Sequence, residues 1–250
     1  ILGTVPVMAD GSAYFRVPAE RFVYFQLLDP DGMVIATMRS GTQVQPGEAV
    51  GCVGCHEDRL QAPPPQKYVL AAQRPPAELT GWYGAPRTFS YMQEIQPIWD
   101  KHCVKCHDFG KKAGEKLILA GDKELVFNAS YVELFQNWGK EGALLNTVGL
   151  GLAPLNAPRS VGSHRSRLVQ LLRKGHAEVK LSPEEMDRIV TWIDLGGPYY
   201  PDYVCAHPDN VAGRAPISIP QAKRLGELTG IRLVEDDGNL DLRGRDHLDV

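Results

Sequence analysis

The sequence has no long apolar run. Nothing in it approaches 18 consecutive apolar residues, which excludes a transmembrane helix. It has no excess of positive charge either. Lys and Arg number 27 against 30 Asp and Glu, a formal net charge of −3, so the electrostatic footprint of a nucleic-acid binder is missing. Low-complexity tracts are absent, and no repeat is longer than five residues. The chain opens Ile1-Leu2-Gly3, without an initiator Met, a basic n-region or an apolar h-region. It is therefore expected to be a mature product or a fragment of something longer. Cysteine is scarce, with five residues, whereas 25 glycines and 19 prolines exceed the usual share and call for many turns. A hydrophobic content of 43% over 250 residues suffices for one or two globular domains.

The few cysteines are not scattered. Cys52 and Cys55 are followed by His56, and Cys103 and Cys106 by His107, so the motif C-x-x-C-H occurs twice. At this composition one such motif is expected by chance about 0.003 times per chain. A Cys₄ or Cys₂His₂ zinc site needs a gap of roughly 12–20 residues between pairs and leaves a His after both pairs unexplained. A thioredoxin-like pair needs a flanking βαβ pattern that is not there. The order suits covalent haem c. Two thiols add to the two vinyl groups, and the next residue places an imidazole beneath the iron. Two covalently bound haems are therefore expected, as is a periplasmic or extracellular location, because haem is attached to such thiols outside the cytoplasm.

Along the chain the pattern changes. Residues 1–60 read as a small β-sandwich-like unit ending in the first motif. Val5, Val7, Phe15, Val17, Val23, Phe25 and Leu27 recur with period two, with turns at Asp10-Gly11 and Asp31-Gly32. Residues 61–90 form a proline-rich connector. Residues 91–204 read as a mostly α, cytochrome c-like domain. One helix runs from Tyr91 through Ile95, Ile98, Trp99 and His102, and a second from Ser163 to about Gly175, with Leu168, Leu171 and Leu172 on one face. A third starts at the capping box of Ser182, Pro183 and Glu185, carries the stripe Met186, Ile189, Val190 and Ile193, and stops at Gly196. Residues 205–250 read as an extension with a short helix from Pro220 to Leu228, closed by Gly230. The fold class expected is α+β with many irregular loops.

For the second haem His107 is the proximal ligand. In common small cytochromes a Met in the loop before the last helix supplies the distal one. Here that loop, residues 175–181, has no Met but holds His176, so bis-histidine ligation is expected. His164 is the runner-up, and Met186 belongs to the core stripe. Such a haem has no open site and suits electron transfer. For the first haem His56 is the proximal ligand, and three distal arrangements stay open: His102, which directly precedes the second motif; Met38, fourteen residues before Cys52; or an open, catalytic position. Cys205 and His207 are the first pair that a zinc ion would use, with Asp202 or Asp209 completing the set, although a free Cys beside a surface His explains them as well.

Residues 3–57, GTVPVMADGSAYFRVPAERFVYFQLLDPDGMVIATMRSGTQVQPGEAVGCVGCHE, resemble the middle domain of the hydrazine synthase alpha subunit and its relatives, dihaem c-type cytochromes widespread in planctomycetes. Residues 162–203, GSHRSRLVQLLRKGHAEVKLSPEEMDRIVTWIDLGGPYYPDY, resemble the C-terminal dihaem part of the same proteins. The resemblance implies bis-histidine ligation at the second haem, and a β-propeller preceding this region in the full protein. In hydrazine synthase itself it also implies a catalytic first haem, whose iron is bound by a Tyr four residues after the motif His. That position here is Leu60, so His56 is expected to bind iron instead. Three functions remain. The chain is an exported dihaem module that passes electrons to a redox partner or to an attached domain, or it is a haem enzyme acting on small nitrogen or oxygen species at the first haem, or its haems are purely structural and organise a Gly/Pro-rich chain.

Overall fold

The computed structural model describes residues 1–53, 68–124, 126–136, 138–139, 142–147, 156–201 and 219–230. The described residues of 1–122 and 129–201 make one compact unit; those of 123–128 and of 202–250 make a second. The fold is mixed α+β. Strands β1 (Gln26–Leu28) and β2 (Val34–Thr37) pair antiparallel, as do β3 (Trp138–Gly139) and β4 (Gly142–Ala143).

In the larger unit, helix α1 (Tyr91–Glu94) leads into α2 (Gln96–His102). The sequence pattern predicts one continuous helix here, but Pro97 lacks the N–H that would continue the ladder and restrains Gln96 before it, so the path breaks at Ile95. Helix α3 (Ala129–Gln136) follows. The helix expected from Ser163 starts later. Gly162–Arg165 form a 3-10 turn, Ser166 is extended, and α4 runs only over Arg167–Lys174. Ser163 cannot begin α4 because its N–H and hydroxyl both donate to the Asp194 carboxylate, at 2.6 and 2.7 Å. Leu168 and Val169 are buried, whereas Leu171 is exposed. Helix α5 (Pro183–Asp194) has the expected capping box: Ser182 Oγ accepts from the Glu185 N–H and Glu185 Oε2 from the Ser182 N–H.

The core lies where these helices meet. Trp99, Trp192, Tyr91, Ile95, Ile189 and Ile193 are fully buried. Tyr91 stacks on Tyr199 with centroids 5.6 Å apart and lies 5.0 Å from Trp192. Its hydroxyl accepts from Trp99 Nε1 at 3.0 Å and shares a 2.7 Å hydrogen bond with Ser130, so the polar ends of the aromatic cluster are satisfied inside it.

The period-two pattern of the first fifty residues is realised as the β1–β2 hairpin and isolated bridges: Thr4 to Thr80, Phe15 to Ala77 and Val23 to Thr42. Both Asp-Gly turns form. Asp29 Oδ1 accepts from the Asp31 and Met33 N–H groups, and Gly32 takes φ 75°, where a Cβ would also meet the Asp187 carboxylate. Asp194, at the end of α5, binds the hairpin by accepting from the Val34 N–H at 3.0 Å. Burial raises its carboxyl above the usual range, against the pull of its hydrogen bonds.

In the smaller unit, Lys123 and Asn128 form a bridge, and α6 (Ile219–Thr229) is the helix expected before Gly230. Gly230 closes it with φ 72° and an N–H donated to the Gly226 carbonyl.

Candidate functional site

The second motif grows out of α2. The Cys103 N–H donates to the Trp99 carbonyl at 2.8 Å, and the Cys106 and His107 N–H groups donate to the Cys103 carbonyl at 3.0 and 2.9 Å. This turn points Cys103 inward and Cys106 to the surface, and both are free thiols. Burial and the neighbouring Cys106 push the Cys103 thiol up to about 11.

His107 is half-buried and oriented by the backbone. Its Nδ1 lies 2.9 Å from the Leu117 carbonyl oxygen, and its own carbonyl accepts from the Leu119 N–H at 2.9 Å. A carbonyl can only accept, so Nδ1 carries the proton and Nε2 keeps a free lone pair. His176 comes from the other side of the sequence. Gly175 ends α4 with φ 95°, Ala177 takes φ 50°, and the Val179 N–H closes a turn onto the His176 carbonyl at 3.1 Å. The two rings face each other, with centroids 5.9 Å apart and planes inclined by 40°.

These residues fit a c-type haem. Imidazole–metal bonds are about 2 Å, so two rings sharing one iron have centroids roughly 6 Å apart. The observed separation matches that value. The tautomer set by Leu117 leaves Nε2 with a lone pair that a metal could use, and two thiols lie within the same turn as His107.

His164 is placed elsewhere, with Nε2 3.1 Å from Asp29 Oδ2, close enough for an ion pair but without hydrogen-bond geometry. Met186 is half-buried on α5. His102, a candidate for the first haem, has its Nε2 3.0 Å from Glu185 Oε1, to which Lys101 also donates at 2.8 Å. Burial opposes ionisation of Glu185, but Lys101, the Ser182 N–H, His102 and the Ser182 hydroxyl outweigh it and hold the carboxyl at about 2. Met38 Sδ accepts from the Phe25 N–H at 3.4 Å. Cys52 is an exposed free thiol. Cys55, His56 and Leu60 lie outside the described residues, as do Cys205, His207, Asp202 and Asp209. Among the described residues no group of three or more His, Cys, Asp or Glu could hold a metal ion, and no helix is long and apolar enough to cross a membrane.

Two further groups matter, one at the site and one in the fold around it. The Leu117 carbonyl is a backbone acceptor and carries no side-chain signal. Asp194 did carry one, because it lies four residues after Val190 and so continues the apolar face of α5 with a carboxylate, which demands buried donors.

Residues 1–57 match the family model described as the hydrazine synthase alpha subunit middle domain. No curated protein matches the chain. Among solved structures, the chain is similar to Kuenenia stuttgartiensis hydrazine synthase, at 18% sequence identity and a TM-score of 0.42, over 72% of this chain and 30% of that one. The chain thus spans less than a third of the length of the solved structure, and its first 57 residues are similar to the middle domain of the hydrazine synthase alpha subunit.

Proposed function

We propose that the chain is a dihaem c-type cytochrome module, exported from the cytoplasm, that carries electrons between a redox partner and either a second partner or an attached domain such as a β-propeller. The observation that carries this reading is the His107–His176 pair, with centroids 5.9 Å apart and Nδ1 of His107 held by Leu117. Cys103 and Cys106 would hold the porphyrin, and His107 and His176 its iron. Bound there, the haem would supply a one-electron couple. Held by both His107 and His176, the iron would offer no place for substrate, and without a Met ligand its potential would not be raised. The chain's own part is to orient: Leu117 fixes the tautomer of His107, and the Gly175–Ala177 turn presents His176. The first haem would be held by Cys52, Cys55 and His56.

In the haem-loaded protein, His176→Ala is expected to convert one low-spin haem to high spin, seen by EPR and by the optical spectrum. An unchanged low-spin signal overturns the ligand assignment. The match of residues 1–57 favours a second reading, a hydrazine synthase-like enzyme with an open first haem. Carbon monoxide separates the two: a ferrous protein that ignores it supports electron transfer, and one high-spin haem that binds it supports catalysis.

A further inference from the structure

We infer that the surface around the second motif is a docking face for an acidic redox protein; the inference rests on the haem reading above. Charge is unevenly divided along this chain. Residues 100–116, which contain His107, hold five lysines against three carboxylates, and residues 165–180, which contain His176, hold five basic residues against one. Ten basic and four acidic residues give these two segments +6, so the rest of the chain carries −9 to reach the total of −3. The facing of His107 and His176 brings the two segments together in the larger unit.

Several of these cations are not spent on internal pairs. Lys101 binds Glu185, Lys111 lies 3.5 Å from Asp108, and Arg173 binds Asp31. Lys105, Lys112, Lys174 and Lys180 are exposed, and no carboxylate among the described residues pairs with them. Within the same segment Phe109 is 54% exposed and Cys106 is at the surface. The porphyrin edge bonded to Cys106 would therefore reach solvent beside an apolar side chain and among unpaired cations. Such a face attracts negative partners to the point where an electron can pass, even though the chain as a whole is acidic.

The test uses the sign of the salt dependence. Hexacyanoferrate(III), a trianion, takes one electron from the ferrous protein and becomes hexacyanoferrate(II), leaving one haem ferric. Net charge alone repels this oxidant, so rising ionic strength would speed the reaction; a local cationic face attracts it, so rising ionic strength would slow it. The expected result in stopped flow is a rate that falls with salt. The double variant Lys105→Glu/Lys174→Glu should be slower by about tenfold at low salt and converge with the parent at high salt. In an equilibrium readout that needs no electron transfer, the parent should be retained at neutral pH on a sulfonate cation exchanger and the double variant should not. A rate that rises with salt, or a variant that matches the parent in both readouts, overturns the docking face. A protein exported alongside haem-attachment machinery that shows no haem absorption overturns the haem reading instead, and the exchanger still reports on the lysines by themselves.

Discussion

The helical region around α1, α2 and α5 and the hairpin region of β1 and β2 are built on different principles. In the helical region the largest side chains are enclosed: Trp99, Trp192 and Tyr91 are at 0% exposure, Trp99 Nε1 donates to the Tyr91 hydroxyl, and Trp192 Nε1 donates to the Pro198 carbonyl. In the first fifty residues many large side chains stay at the surface, with Phe22 at 73% and Tyr14 at 45%, and few backbone pairs form a ladder. The hairpin buries Met33 and Val34 but is also tied to α5 by directional contacts, with the Val34 N–H donating to the Asp194 carboxylate and Gln26 Nε2 to the Asp194 carbonyl. Apolar packing is non-directional and tolerates exchange. A carboxylate serving three buried donors is directional and does not. The same helix α5 supplies both, with Ile189, Trp192 and Ile193 facing the core and Asp194 reaching the hairpin.

The largest effect should come from breaking the first kind of contact. Trp99→Ala empties the centre of the helical core and removes the donor to Tyr91. It should cost about 3–5 kcal/mol, read as a fall in thermal midpoint on the order of 10 °C. A loss below 1 kcal/mol would mean the aromatic cluster is not the main source of stability. Asp194→Ala should cost less, about 2–3 kcal/mol, because it leaves buried donors unmatched without opening a large void. Its signature is local: amide exchange should accelerate more at Val34 than in the middle of α5. Equal acceleration at both would show that hairpin and helix open as one body and erase the contrast.

The smallest effect concerns the α2–α5 junction and is read by pH. Glu185 is held at about 2 against an ordinary 4.5. Its contribution is therefore complete above pH 4.5 and is lost as the pH falls from there toward 2. Glu185→Gln should flatten acid destabilisation in that window while leaving stability above it lowered by a constant amount. An unchanged acid limb would remove Glu185 from the account. Asp194 has the opposite sign: its raised carboxyl favours the protonated folded form, so its contribution weakens as pH rises through its folded value.

Much of the helical half was legible in the sequence because its signals are local. The capping box at Ser182, the stripe through Ile193 and the glycines that stop α5 and α6 each act within one or two turns. The hairpin half was less legible. Period-two alternation marked its residues, yet only the Asp31-Gly32 turn led to a regular strand pair, because no second ladder in this segment shields the remaining inward positions. The delayed start of α4 was hidden for a related reason. Ser163 has an ordinary helix-start residue type, but its hydrogen bonds go to a carboxylate 31 residues away.

For the site, the division is sharper. The residue types and spacing of Cys103, Cys106 and His107 match the haem c attachment signature, which needs those groups within one turn, and the loop position of His176 made it the expected partner. Only the tertiary structure decided that the two rings meet at 5.9 Å, that Leu117 sets the tautomer of His107, and that His102 turns to Glu185. Covalent geometry confines neighbours along the chain, whereas distances between remote segments follow from packing, and packing is a property of the whole core.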